Sequence, residues 1–245
     1  MKTDYNPIAA HYKKSKLQPW RTYIEQNTLL ELVGSLHDHA VIDLACGEGH
    51  YTRQLKQRGA SRTLGVDLSE GMIALAESQE QRRPLGIEYL ASDACDIDFP
   101  EQFDLAFAAY LTCYAASEWE LLRMAESIYN CLKPGGRFVT VTNEPDDPAE
   151  NFSVDKHYGF QKAVRGALVE GTPIDWTFEV PDGSFTITNY HLERATIERV
   201  FKRVGFSDLE WHTARLAREG VEAFGEDYWH AFMQAPPVTF LTCRK

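Results

Sequence analysis

Asp43 interrupts a short apolar run, Val41-Ile42-Asp43-Leu44, and a small-residue loop with glycines at 47 and 49 follows it. A carboxylate beside such a loop suits a cationic ligand. The glycines lack a Cβ and let a ligand approach the backbone, while the acid attracts positive charge and repels a pyrophosphate. A second acid, Asp67, stands 24 residues after Asp43 and 20 after Gly47. That is the distance at which a carboxylate reaches a ribose diol in open α/β sheets, and both hydroxyls of a diol can donate to one carboxylate. A helix cap is the plainer role for Asp67, but Ser69 already serves as cap for the run 70–80.

Strand ends must hold these residues. Ala40–Leu44 reads as a strand buried on both faces, the mark of a parallel sheet. Residues 51–58 are mostly helix formers and stop at Gly59, a C′ glycine. Glycines 47 and 49 therefore sit on a strand-to-helix turn at the carboxyl edge, where such sheets bind nucleotide-like cofactors. The loop lacks the third glycine of the dinucleotide fingerprint. Arg62–Asp67 is a second strand, 87–91 a third ending in Ser92-Asp93-Ala94, and Phe103–Ala109 a fourth, followed by Tyr110-Leu111-Thr112-Cys113-Tyr114. Ser117-Glu118-Trp119-Glu120 is a capping box opening a helix with Leu121, Ala125, Ile128 and Leu132 on one face. Lys133-Pro134-Gly135-Gly136 then turns the chain into a fifth strand. Ile197, Val200, Phe201 and Val204 mark the final amphipathic helix, and 206–215 and 238–243 read as an antiparallel pair of closing strands.

The chain has 245 residues, 44% hydrophobic and 25% charged, with a formal net charge of −11, which fits one large globular domain and gives a duplex nucleic acid no basic face. Five cysteines without a CxxC pair or an even framework point to a reducing, cytoplasmic setting. No stretch approaches a membrane span. His37-Asp38-His39 is too short for a zinc ligand set, so no metal is expected.

Asp43 with Gly47 and Gly49, Asp67, Asp93-Ala94, the fourth strand and Pro134-Gly135-Gly136, in that order, resemble the class I S-adenosylmethionine-dependent methyltransferases. The resemblance implies an α/β, Rossmann-like, seven-stranded, mostly parallel sheet of order 3-2-1-4-5-7-6, the last strand antiparallel, with helices on both faces and an inserted β-hairpin cover. It implies S-adenosylmethionine as cofactor, whose sulfonium and ammonium suit Asp43. By the same resemblance, Ala45 and Gly47 form the first turn and Asp67 binds the ribose. Leu68 and Met72 lie against adenine, Asp93 accepts from its N6 amine, and the Ala94 N–H donates to N1. The family usually has glycine where this chain has Ala45, and Met72 reads equally as core.

The opening Tyr5…Ala9…Tyr12 resembles a segment that lies over the cofactor in this family. Tyr12, Trp20, Arg21 and Tyr110 join the cofactor candidates, Arg21 as a carboxylate clamp, although Tyr12 and Trp20 also suit plain packing. Tyr5, Tyr114, Trp176 and Tyr190 are the substrate candidates. More narrowly, the opening and the overall length resemble the toxoflavin-forming enzymes, which N-methylate an azapteridine.

The organisation expected is one methyltransferase domain over 1–245, with a helical lid at 1–36 and a substrate cover inserted at 143–191. Within the insert, 153–169 reads as mixed helix, and strands around Trp176 and Phe185 flank the Pro181-Asp182-Gly183 turn as a hairpin. Residues 219–237 suit a cover or a dimer contact. The partner expected is a small heteroaromatic molecule, with no nucleic acid and no membrane, and the chain a monomer or homodimer. Methyl transfer from a sulfonium needs mainly alignment, and an acidic ring nitrogen as acceptor needs no base. A phenol or amine would want Tyr110, His191 or an acid of the insert. The rival classes are a nicotinamide oxidoreductase, for which the glycine fingerprint is incomplete, and a non-catalytic S-adenosylmethionine-binding regulator.

Overall fold

The computed structural model of the protein describes residues 9–245. In chain order the elements are α1 (Ala9–Ser15), a π-helical turn (Arg21–Glu25) running into α2 (Gln26–Val33), β1 (Ala40–Leu44), α3 (His50–Gln57), β2 (Arg62–Asp67), α4 (Glu70–Arg82), β3 (Glu88–Ala91), β4 (Phe103–Ala109), α5 (Glu118–Cys131) and β5 (Leu132–Asn143). After a 3-10 segment (Ala149–Tyr158) come β6 (Phe160–Val164), β7 (Pro173–Val180), β8 (Gly183–Tyr190), α6 (Arg194–Val204), β9 (Ser207–His212), α7 (Arg218–Phe224), α8 (Glu226–Gln234) and β10 (Val238–Arg244).

The main sheet has the order β3-β2-β1-β4-β5-β10-β9. Strands β1 to β5 are parallel, and β10 runs antiparallel to both β5 and β9. This is the sheet expected from the sequence. Its centre is dictated by composition, since β1 and β4 carry apolar residues towards both faces and are almost wholly buried. The strand order reverses between β1 and β4. A crevice therefore opens at their carboxyl ends, where the following connections diverge to opposite faces.

The helices start and stop for local reasons. Ser69 Oγ accepts from the Met72 N–H at the start of α4, and Ser117 Oγ accepts from the Glu120 N–H at the start of α5. Glu120 reaches back one residue further than in the usual box and takes the Ala116 N–H at 2.8 Å. Gly205, with φ +117°, closes α6.

Two features differ from the sequence expectation, and a third region is defined only by the structure. Residues 160–164 form strand β6, not helix, and make a three-stranded antiparallel sheet with β7 and β8. Gly159, with φ +84°, ends the 3-10 segment, and Phe160 and Lys162 then alternate inward with the period of a strand. The helix expected across 19–36 begins with a π turn whose Arg21, Ile24 and Glu25 are buried. Residues 219–237 are two short helices hinged at Gly225, with Trp229 buried and its Nε1 donating to Gly220 O at 2.9 Å.

The small sheet and the N-terminal segment share an aromatic layer. Trp20 lies 5.0 Å from Phe160, Phe160 stacks on Trp176 at 5.3 Å, and Phe178 stacks on Phe185 at 5.3 Å. This layer roofs the carboxyl ends of β4 and β5. Helix α1 rests on β7 and β8.

Candidate active site

A cleft of about 360 Å³ lies at the crevice, within the usual size of a small-ligand site. Of the residues expected from the sequence, Tyr12, Ala45, Gly47, Asp67, Leu68, Met72, Asp93, Ala94, Tyr110 and Tyr114 line it. Asp43, Trp20 and Arg21 do not. Trp176 and Tyr190 line deeper cavities, and Tyr5 lies outside the described residues.

The loop after β1 bends through three left-handed residues, Ala45 (φ +58°), Gly47 (φ +57°) and Gly49 (φ +83°). A Cβ on Gly49 would stand 2.4 Å from the Tyr89 hydroxyl, so any larger residue there requires Tyr89 to move in addition to the backbone strain at φ +83°. The tight first turn is thus made despite the Ala45 methyl, at a strain of about 1–2 kcal/mol.

Asp67 ends β2 facing this loop. Its Oδ2 accepts from the Gly47 N–H at 2.8 Å and its Oδ1 from the Ser69 N–H at 2.9 Å. Burial pushes the carboxyl up, opposed by those two amides. Each oxygen keeps a lone pair for a further donor. Along the same wall, Asp93 Oδ1 accepts from the Cys95 N–H at 2.9 Å, and Ser127 Oγ pins the Ala94 carbonyl at 2.5 Å. Leu68 is an exposed rim residue, whereas Met72 is buried as the floor. Met72 belongs to the core cluster and also lines the cleft.

The inner end of the cleft is polar and enclosed. Tyr110, directly after β4, is left-handed at φ +67°, and its N–H is bound to Val141 O at 3.1 Å. Its phenol donates to Glu25 Oε2, Tyr51 donates to Glu25 Oε1 at 2.6 Å, and Arg21 Nη1 lies 3.2 Å from Oε2. Lys16 Nζ stands over the rings of Tyr12 and Tyr51 at 5.0 and 5.4 Å. Burial acts to raise the Glu25 carboxyl, but Arg21, Lys16 and the two phenols outweigh it and hold it below its ordinary range. Burial and the Glu25 charge push the Tyr110 phenol far up. Tyr110 is therefore held as a donor and cannot serve as a general base.

Glu25 is the residue that sequence reasoning missed. Its i,i+4 spacing from Arg21 was the available signal, but its partners at 51 and 110 are remote in the chain. The Arg21 expectation needs correcting accordingly. The carboxylate that Arg21 clamps is its own neighbour's, the guanidinium is buried, and Nε has no hydrogen-bond partner among the described residues. Trp20 likewise packs in the core, its Nε1 donating to Gln18 Oε1 at 3.0 Å. Asp43 lies beneath the loop, 1% exposed, with Oδ2 accepting from the Thr52 hydroxyl at 2.6 Å. Burial, with Asp67 and Glu48 nearby, pushes its carboxyl up to about 7.

Two small cavities continue inward. An inner one of about 10 Å³ shares Tyr12 and Tyr110 with the cleft and adds Trp20, Arg21, Asn143, Trp176, Phe178, Ile187 and Asn189. An outer one of about 20 Å³ shares Asn143 and Trp176 with it and is also walled by Cys113, Tyr190 and His191. At its side Lys162 pairs with Asp147 and stands 4.4 Å over the Phe152 ring. Among the described residues no group of three or more His, Cys, Asp or Glu is placed to hold a metal ion, and no helix is long and apolar enough to cross a membrane.

Residues 41–136, from β1 through the Pro-Gly-Gly segment, match the family model described as a methyltransferase domain. The chain therefore carries a methyltransferase domain. Its cofactor is S-adenosylmethionine, and the cleft is lined by Asp67, Asp93, Ala94 and Tyr110. The methyltransferase is 22% identical over 220 residues to a demethylmenaquinone methyltransferase of Lactococcus lactis, which covers 85% of this chain and 80% of that one. It is 30% identical over 115 residues to a ubiquinone biosynthesis O-methyltransferase of Pseudomonas entomophila, 45% of this chain and 48% of the relative. The match thus spans about half of that relative's length. The crystal structure of an S-adenosylmethionine-dependent methyltransferase from Mesorhizobium loti has the same fold, with a TM-score of 0.67 at 20% identity over 94% of this chain and 100% of that one.

Proposed function

We propose that the methyltransferase moves a methyl group from S-adenosylmethionine to a small, flat heteroaromatic molecule under the small sheet, with an azapteridine ring nitrogen as acceptor. One observation carries this reading. Tyr12 and Tyr110 are walls of both the cleft and the aromatic inner cavity, so a donor in one compartment and a ring in the other meet at a single point.

In this reading Asp67 takes the ribose diol, Asp93 and Ala94 the adenine edge, and Leu68 and Met72 its faces. Tyr110, beside Lys16 and Glu25, would hold the methionine end. A ring nitrogen attacks the methyl carbon in line, the carbon–sulfur bond breaks, and the electron pair stays on the neutral thioether. The protein contributes alignment and exclusion of water, together worth up to roughly 7–11 kcal/mol. Arg21 and Lys16 favour an acceptor ring that has already lost its proton.

Residues 1–36 act as the lid and 143–191 as the substrate cover. The inner cavity is water-sized, so a ring enters only when these two parts separate. At the α1 end their contact is weak, since Lys14 pairs with Asp182 at 2.5 Å and His11 lies 3.5 Å from the same carboxylate, all half-exposed. Further in, Gln18 Nε2 donates to Gly159 O at 2.6 Å and Trp20 packs on Phe160. The enzyme acts in the cytoplasm as a monomer or homodimer.

A second reading follows from the relatives' names, a quinol ring as acceptor. It needs a base, which Tyr110 cannot be. His191, whose imidazole burial keeps below its ordinary pKa and hence neutral, opens on the outer cavity and is the base that this reading requires. Incubation with a trideuteromethyl donor and either a desmethyl azapteridine or a demethylquinol, followed by mass spectrometry, separates the two. Label on an azapteridine ring nitrogen supports the first reading. Label on the quinol alone replaces it with the second.

A further inference from the structure

Asn143 ends β5, paired with Val238 of β10, and borders both the inner and the outer cavity. Its Nδ2 and its Oδ1 are both buried with no hydrogen-bond partner among the described residues. The Trp176 Nε1 and Arg21 Nε lining the same inner cavity are unpartnered in the same way. A buried polar atom left unpaired is costly, and nearly all such atoms in folded proteins have partners. Several belong to residues bordering this one cavity, so a polar ligand admitted there finds open donors and an open acceptor.

The chemistry of that outline is specific. A side-chain amide with both atoms open offers one donor and one acceptor side by side in a plane. Its complement is a planar group with an acceptor and a donor side by side, as in the two-point pairing of asparagine with a base edge. Which atom is oxygen and which nitrogen does not matter here, because both are open. Trp176 and Arg21 add donors only, so the rest of the ligand is rich in carbonyl or ring-nitrogen acceptors.

We propose that Asn143 is the residue that selects the methyl acceptor, by pairing in two hydrogen bonds with the H–N–C=O edge of a cyclic amide or imide. This rests on the reading that a flat ring occupies the inner cavity. A quinone of the same shape has carbonyls but no N–H and leaves the Asn143 Oδ1 unpaired and buried. A site built to hydrogen-bond a group rejects the isostere that lacks it far more strongly than an apolar pocket rejects a size change.

The test is calorimetry on the full chain saturated with S-adenosylhomocysteine, using three probes: pteridine-2,4-dione, its 1,3-dimethyl derivative without imide N–H groups, and 2-methyl-1,4-naphthoquinone. The dione is expected to bind at least about tenfold more tightly than the other two. Asn143→Ala and the near-isosteric Asn143→Asp each erase that preference while S-adenosylhomocysteine affinity stays unchanged, which also shows that the variants fold. Equal or tighter binding of the naphthoquinone, or a preference that survives both substitutions, overturns the Asn143 assignment and leaves the flat-ring reading standing. S-adenosylhomocysteine binding with none of the three probes bound overturns both.

Discussion

Replacing Asp43 by asparagine raises the stability of the ligand-free enzyme as pH rises, and the size follows from the burial of this one group. The folded carboxyl titrates at about 7, against about 3.9 in an unfolded chain. Between those values the folded protein holds a proton that the unfolded chain has released, so stability falls as pH rises from about 4 to about 7 and is level above that. Each unit is worth about 1.4 kcal/mol, so the three units amount to about 4 kcal/mol as an upper figure. Asparagine keeps an oxygen to accept from the Thr52 hydroxyl, the bond seen at 2.6 Å, and carries no charge at any pH. The stability gap between Asp43→Asn and the parent should therefore widen by about 2–3 kcal/mol from pH 5 to pH 8, or roughly 5–10 °C in Tm for a chain of this size. Titrating groups remote from Asp43 are common to both proteins and cancel in the difference, while the charged neighbours Lys16, Glu48 and Asp67 respond to its charge and set the spread of the expected range. Thermal melts across pH, repeated with saturating S-adenosylmethionine, make the measurement. A cationic ligand over the loop compensates the Asp43 charge, so it should narrow the gap at pH 8. Parallel pH curves for the two proteins would show that burial does not govern this carboxyl, and the account of Asp43 as a charge held beneath the loop would be wrong.

Two further outcomes follow from the same loop. Asp67→Ala removes both carboxylate bonds available to the ribose, about 3 kcal/mol or roughly a hundredfold in Kd, and calorimetry should show the loss for adenosine as well as for S-adenosylhomocysteine; an unchanged adenosine affinity would place the ribose elsewhere. Ala45→Gly relieves the left-handed strain at φ +58° and should raise stability by up to about 1 kcal/mol net of glycine's greater unfolded freedom, and a clear loss of stability in denaturant titration would mean that the Ala45 methyl contributes more than it strains.

The central sheet was legible because its signals are local. β1, β2 and β4 are short runs bounded by turn residues, and the observed bounds, Ala40–Leu44, Arg62–Asp67 and Phe103–Ala109, are those expected. The β1 loop and Asp67 were legible because they end strands at a fixed spacing, while Leu68, Met72, Asp93 and Ala94 were read from the family resemblance. What failed depends on contacts between distant parts. Glu25 receives Tyr51 across 26 residues and Tyr110 across 85, and no window of sequence holds that cluster. Arg21 was assigned a ligand's carboxylate because its i,i+4 pairing with Glu25 becomes a buried contact only once Tyr51 and Tyr110 enclose it. β6 was read as helix because its five residues mix Lys and Gln with apolar side chains, and only pairing with β7 fixes the two-residue period.

The two strands flanking the reversal of strand order both end in a strained, non-glycine residue: Ala45 after β1 and Tyr110 after β4, each with positive φ and each on the cleft wall. A bulky residue in that conformation persists only where its surroundings over-determine it. For Tyr110 those surroundings are the N–H bond to Val141 and the phenol bond to Glu25. Glycine would relieve the backbone but remove the phenol. Because Glu25 belongs to the N-terminal segment while Tyr51 and Tyr110 belong to the main fold, any outward movement of the π turn leaves Tyr110 strained and both phenols unpaired. Opening confined to α1 disturbs none of those bonds. The exposed pairs to Asp182 are then the contacts that give way first, while the buried Glu25 bonds hold Tyr110 in place.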